Sequence, residues 1–241
     1  MTGIVGIMRV KNEARWIRDS VGSILPLCDR VILYDDGSTD GTADLVDGLP
    51  KLTVHRMAAG GRAPDEARDK NELVEAARRF GPDWILCVDG DEVLEPGGQA
   101  EILMSISSGD APAYTLRIAY LWDRPDQIRV DGVYRNMTRP SLFQLSKTNG
   151  IFERTTYGQN FHCGSVPTDL RGRSMPSAAT LKHYGYMERA DRLRKFEWYN
   201  RVDPENRLED CYRHMVIGDL PGLPARSMTR HAGPLELESY P

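Results

Sequence analysis

The sequence predicts an α/β protein: a mainly parallel sheet flanked by helices, with antiparallel strands added and helices toward the C-terminal end. Three observations predict it. The first half alternates short apolar runs with helix-periodic runs over short links, which is how βαβ units are written. The second half turns to strand-like runs joined by turns, which favours antiparallel pairing. Polar, acid-rich stretches follow three of the apolar runs, and in parallel sheets ligands bind beyond the carboxyl ends of the strands.

Residues 4–10, IVGIMRV, form the first expected strand. Asn12 is the expected cap of the next helix, where Ile17, Val21, Ile24 and Leu25 recur at helical spacing. Residues 30–34 are a second strand, 42–48 a short helix and 52–57 a third strand. Residues 65–80 read as a helix stopped by Gly81 and Pro82. WILCV, 84–88, is apolar throughout and so belongs at the centre of the sheet. A helix is expected over 97–107. Beyond it, 113–121, 128–135 and 140–145 read as strands, 150–173 as loop, 178–184 as one more strand, and 188–202 and 205–217 as helices. Residues 221–241, with Pro221, Pro224 and Pro234, read as an irregular tail.

The 241 residues fit one large domain, and 40% apolar residues suffice for its core. A net charge of −4 exerts no overall pull on nucleic acid or an anionic membrane. The four cysteines include no CxxC pair, which speaks against a zinc ribbon or a thioredoxin motif and suits a reducing, cytoplasmic setting. Charge enters at Arg9, too early for a signal peptide, and no apolar run approaches the ~20 residues of a membrane span.

The chemistry is written in two acidic stretches. From Asp36, DGSTDGTADLVD has the spacing of a calcium loop, with oxygen-bearing residues at the first, third, fifth, ninth and twelfth places and Gly41 at the sixth. A calcium loop needs a preceding helix, and Val31, Ile32 and Tyr34 favour a strand. The stretch could instead make a turn and cap a helix, or its carboxylates could accept hydrogen bonds from a base or a ribose while Gly37 lets the backbone approach. No glycine-rich phosphate loop is present. The second stretch, DGDE, follows the central strand. Asp89 and Asp91 alternate along an extended chain and can flank one object, and their hard oxygens suit Mg²⁺ or Mn²⁺.

With VKNEARWIRDSVGSILPLCDRVILYDDGSTDGTADLV, EARDKNELVEAARRFGPDWILCVDGDEVL and LKHYGYME in this order, the chain resembles glycosyltransferase family 2, of the GT-A fold. The resemblance covers residues 3–97 well and returns around His183. It implies a metal-dependent, inverting transferase using a nucleotide-sugar, often a UDP-sugar. It implies that 1–110 bind the nucleotide-sugar and that 111–220 form the acceptor-binding and catalytic half of the same domain. Asp36, with Asp35 beside it, would contact the base, and Lys11, Asn12 and Glu13 would lie near the nucleoside. Arg68 and Lys70 would touch base or diphosphate, Asp89 the ribose or sugar, while Asp91 and His183 would hold Mn²⁺ or Mg²⁺.

The chain departs from its relatives at the catalytic base. Where they commonly carry an acid after a histidine, this chain has His162 followed by Cys163. Asp169 is the favoured substitute and His162 the runner-up, with Asp131 and Glu153 as further options and Cys163 as a packing residue. Trp122, Trp198 and Tyr199 could stack on a ligand, though core packing is the better reading. Arg117, Arg124, Arg129, Arg135, Arg139, Arg171 and Arg173 would favour an anionic acceptor if they converge: a hydroxylated base in nucleic acid, a phosphorylated lipid or an acidic glycan. A nucleotidyltransferase, a metal-dependent phosphohydrolase or an inactive sugar-nucleotide-binding module are the alternatives.

Overall fold

A computed structural model describes residues 2–58, 65–153, 163–204, 212–219 and 235–241. Its strands are β1 (Ile4–Val10), β2 (Arg30–Asp35), β3 (Leu52–Arg56), β4 (Trp84–Cys87), β5 (Glu92–Leu94), β6 (Ala113–Trp122), β7 (Arg124–Arg129), β8 (Thr138–Gln144), β9 (Ser174–His183) and β10 (Leu237–Ser239). Its α-helices are α1 (Ile17–Ile24), α2 (Glu66–Arg78), α3 (Gly98–Ser108) and α4 (Arg189–Val202). The described residues fall into two compact units, the first holding residues up to 117, 138–153 and 163–181, the second 118–137 and those from 182 onward.

In the first unit β2 and β4 flank β1 and β3 flanks β2, all parallel, while β8 runs antiparallel to both β4 and β6. Alternation along the strands assigns their two faces. Val5, Ile7, Ile32 and Tyr34 join Ala67, Leu73, Val74 and Ala77 of α2 in one core. Gly6 faces the other way. A Cβ there would lie 3.1 Å from Ile24 of α1 and 3.3 Å from Cys28, so the glycine sets how closely α1 seats on the sheet. Asp65 caps α2 by accepting the Arg68 N–H, and Gly81, at φ 59°, closes the chain after it. In the second unit β10 pairs with β7 and β7 with the end of β6, both antiparallel. Arg192 of α4 bonds Asp219, Asp123 and two backbone carbonyls there while lying against the Trp122 ring.

The parallel first half and antiparallel second half agree with the sequence reading. Several local expectations do not. Residues 42–48 form successive turns rather than a helix, because the stretch is only a few residues long between Gly41 and Gly48, both at positive φ, and cannot nucleate one. Asn12 caps nothing: it sits at φ 56°, and α1 begins after Trp16. The strand expected over 128–135 lies earlier, as β7, and gives way to a 3-10 turn, Gly132–Asn136. In the helix expected over 205–217, the described part is a 3-10 turn, Tyr212–Val216, and 205–211 lie outside the described residues. Strands β5 and β10 were not foreseen, and β10 lies within the stretch read as tail, of which 221–234 lie outside the described residues.

Candidate functional site

The carboxyl ends of β1, β2 and β4 bring the polar stretches of the first unit together. After β1 the chain enters a loop that the DGSTDGT stretch holds by side-chain bonds. Ser38 Oγ accepts from the Asn12 N–H at 2.8 Å, Asn12 Oδ1 accepts from the Thr39 N–H at 2.9 Å, Thr42 Oγ1 accepts from the Glu13 N–H at 2.8 Å, and Asp40 accepts from the Ala14 N–H at 3.0 Å. Burial works against the Asp40 charge, but the bonds from Thr42 and Ala14 outweigh it and hold the carboxyl below its ordinary range. Asp35 takes the Ser38 hydroxyl. The stretch therefore follows a strand and braces a loop, which is not how a calcium loop is built.

Asp36 has different company. Its Oδ2 accepts from Arg9 at 2.6 Å and lies 3.4 Å from Lys11 Nζ. Arg9 also reaches Asp69, a wholly buried carboxylate that takes Arg68 on its other oxygen at 2.8 Å. Asn12, Glu13 and Asp35 thus belong to the loop bracing made through Ser38, Thr39 and Thr42. Lys11, Asp36 and Arg68 belong to one network, for which Arg9 and Asp69 supply the links. Lys70 does not share it. Its ammonium is buried, 2.7 Å from Glu66 and 3.1 Å from the Gly164 carbonyl, while Glu66 accepts from the Cys163 N–H. Lys70 and Glu66 fasten residues 163–164 to α2. Burial also pushes the Cys163 thiol up to about 12, against the pull of Lys70, so thiolate is scarce at neutral pH.

The DGDE turn abuts the first loop. A Cβ on Gly90 would come 2.8 Å from Val10 and 3.1 Å from Glu13, so only glycine permits the approach. Asp91 and Glu92 are buried, and the Asp89 N–H donates to Glu92 Oε2 at 3.0 Å. Arg139, from β8, donates to Asp89 Oδ2 at 2.7 Å and to Glu92 Oε2 at 2.5 Å. Burial raises the Glu92 carboxyl to about 7 despite Arg139, and Oε1 has no hydrogen-bond partner among the described residues. Among the described residues no three His, Cys, Asp or Glu side chains group to hold a metal. His183 belongs to the second unit, where its ring lies 4.6 Å from Tyr120 and 4.8 Å from Tyr186.

Asp169 caps a turn. It accepts from Thr148 Oγ1 at 2.5 Å and from the Asn149 N–H at 3.0 Å, and these bonds more than offset burial to lower its affinity for a proton. His162 lies outside the described residues. Most arginines of the expected anionic patch are matched by acids: Arg124 by Asp126, Arg129 by Asp131, Arg135 by Glu236 and Glu238, and Arg139 by Asp89 and Glu92. Trp122 is core, packed between Arg129 and Arg192. Arg9 and Asp69 were missed as parts of the Asp36 network, and Glu92 and Arg139 as the partners of Asp89. The available signal was charge at the end of an apolar strand or inside a helix face otherwise destined for the core.

The chain matches the sequence model of glycosyl transferase family 2 over residues 7–165. It belongs to that family. An uncharacterised protein of Mycobacterium tuberculosis is 26% identical over 213 residues, 85% of this chain and 52% of the relative. An uncharacterised glycosyltransferase of Rickettsia bellii is 32% identical over 136 residues, 55% of this chain and 40% of the relative. The chain thus spans about half the length, or less, of these curated relatives. In fold it is similar to S. aureus TarS, at a TM-score of 0.53 and 13% identity, over 90% of this chain and 70% of that one. A TarS structure in complex with UDP-GlcNAc is similar at a TM-score of 0.52 and 13% identity, over 90% and 71% of the two chains. The fold is that of the GT-A glycosyltransferases. Among the described residues no helix is long and apolar enough to cross a membrane.

Proposed function

We propose that the protein is a metal-dependent, inverting glycosyltransferase that moves a sugar from a UDP-sugar to an acceptor hydroxyl. The observation that carries this reading is the convergence of the Asp36 network and the DGDE turn at the carboxyl ends of neighbouring parallel strands. Asp36, oriented by Arg9, accepts a base N–H, and Lys11, Asn12 and Glu13 line the nucleoside side, with Asp35 and Arg68 fixing the walls. Lys70 serves by anchoring residues 163–164 rather than by touching the diphosphate. The UDP-GlcNAc held by TarS supports uridine as the base.

The residues of the turn fit a divalent cation. Asp91 offers hard oxygens, and Glu92, whose Oε2 takes Arg139, adds a buried Oε1 without a hydrogen-bond partner among the described residues. Asp91 would be the principal ligand, and few protein ligands leave room for phosphate oxygens. When bound, Mn²⁺ or Mg²⁺ supplies charge against the departing diphosphate. Asp89 accepts a hydroxyl of the ribose or sugar. The acceptor oxygen forms its bond to the anomeric carbon as the bond to the diphosphate breaks and the diphosphate keeps the electron pair. A base takes the hydroxyl proton. The Asp169 hydrogen bonds favour His162 for that role. The pairing of the arginines favours an uncharged sugar hydroxyl over a phosphate-rich acceptor. Incubation with UDP-sugars, Mn²⁺ and glycan acceptors should release UDP; release of sugar 1-phosphate with the nucleotidyl group left on the acceptor would identify a nucleotidyltransferase.

A further inference from the structure

Arg139 stands in a fixed frame. Its Nη1 donates to Asp89 Oδ2 at 2.7 Å, its Nη2 to Glu92 Oε2 at 2.5 Å, and its Nε to Ser141 Oγ at 3.3 Å. Glu92 Oε2 in turn accepts the Asp89 N–H, and the Ser20 hydroxyl donates to the Asp89 carbonyl at 3.0 Å. The strand that carries the guanidinium pairs directly with the strand that delivers the acids, Leu86 opposite Leu142. Two acids of the turn, Asp89 and Glu92, are therefore matched to a permanent positive charge that cannot be deprotonated and has little freedom to leave, and Asp91 is not among its partners.

We propose that Arg139 is a positioning residue that divides the work of the DGDE turn: it withdraws Asp89 from the cation and reserves it as an acceptor for a neutral donor hydroxyl, so that the cation falls to Asp91. The inference rests on reading this turn as the donor site. The physical reason is repulsion. A divalent cation approaching Asp89 meets a guanidinium already on that carboxylate, whereas a sugar or ribose hydroxyl brings no charge.

Titration with Mn²⁺ alone, followed by calorimetry, tests it in the full chain. Arg139→Gln should bind Mn²⁺ about tenfold more tightly than the unsubstituted protein, because a second carboxylate becomes available. Arg139→Lys should match the unsubstituted protein, and adding Asp89→Asn to Arg139→Gln should abolish the gain. A residue that merely supports the fold would lower both melting temperature and Mn²⁺ affinity when replaced. Weaker or unchanged Mn²⁺ binding in Arg139→Gln, or a gain that survives Asp89→Asn, overturns the proposal. If Arg139→Gln fails to fold, Asp89→Asn alone carries the test: it should bind Mn²⁺ as tightly as the unsubstituted protein, and a loss of Mn²⁺ affinity overturns the proposal. UDP release decides the donor reading separately, since the Mn²⁺ titration uses no nucleotide.

Discussion

At the scale of single residues, two carboxylates of similar sequence appeal have opposite surroundings. Asp91 is buried beside the first loop, in a turn that glycine brings close to Val10 and Glu13. Asp91→Ala should leave the protein folded and abolish the Mn²⁺ dependence of UDP binding, read as the loss of a metal-dependent thermal shift. A full metal-dependent shift in that variant would place the cation elsewhere. Asp169 is exposed and saturated by Thr148 and Asn149. Its proton affinity is lowered, so its contribution to stability is present above the unfolded carboxylate range and lost as pH falls through the lower folded value. Solvent screening keeps that contribution below about 1 kcal/mol. Asp169→Asn should therefore melt nearly as the unsubstituted protein and retain turnover; a fall of roughly 10²-fold or more would make Asp169 the base.

At the scale of elements, β1 and α2 are joined by charge as well as by apolar packing. Arg9 leaves the end of β1, crosses to Asp69 in the first turn of α2 and still holds Asp36 at the end of β2. Asp69 has no exposure and two guanidinium partners. Removing Asp69 leaves Arg9 its bond to Asp36 but takes a charge-assisted hydrogen bond from Arg9 and from Arg68, at a cost of about 2–3 kcal/mol. Asp69→Ala should lower the melting temperature accordingly and also weaken UDP binding, through the loosened Arg9. Unaltered UDP affinity in a folded Asp69→Ala variant would reduce the network to a structural support. The apolar half of this arrangement was legible: Leu73, Val74 and Ala77 fall on one helix face. The charged half was not, because sequence spacing does not say which buried arginine meets which buried acid.

At the scale of the whole molecule, a ligand that binds only the folded chain raises its apparent stability by mass action. At about 100 times its dissociation constant UDP should add ~2.7 kcal/mol, and a domain of this size gains ~2–4 °C per kcal/mol. A rise of about 5–10 °C in the presence of Mn²⁺, absent with EDTA, is expected from differential scanning fluorimetry. No shift with any uridine nucleotide would remove uridine from the donor.

The sequence by itself determined the parallel order of the first half, the antiparallel character of the second and the strand ends where acids collect. It could do so because hydrophobic periodicity is a local property, and a run such as WILCV has one good place in a sheet. Only the tertiary structure decided what each charge faces. It turned Lys70 inward to the Gly164 carbonyl, gave Asp169 to a turn, set Arg9 behind Asp36 and placed Arg139 on Asp89. Those pairings join residues tens of positions apart, and the energy of a buried charge depends on the partner the fold delivers to it rather than on its neighbours in the chain.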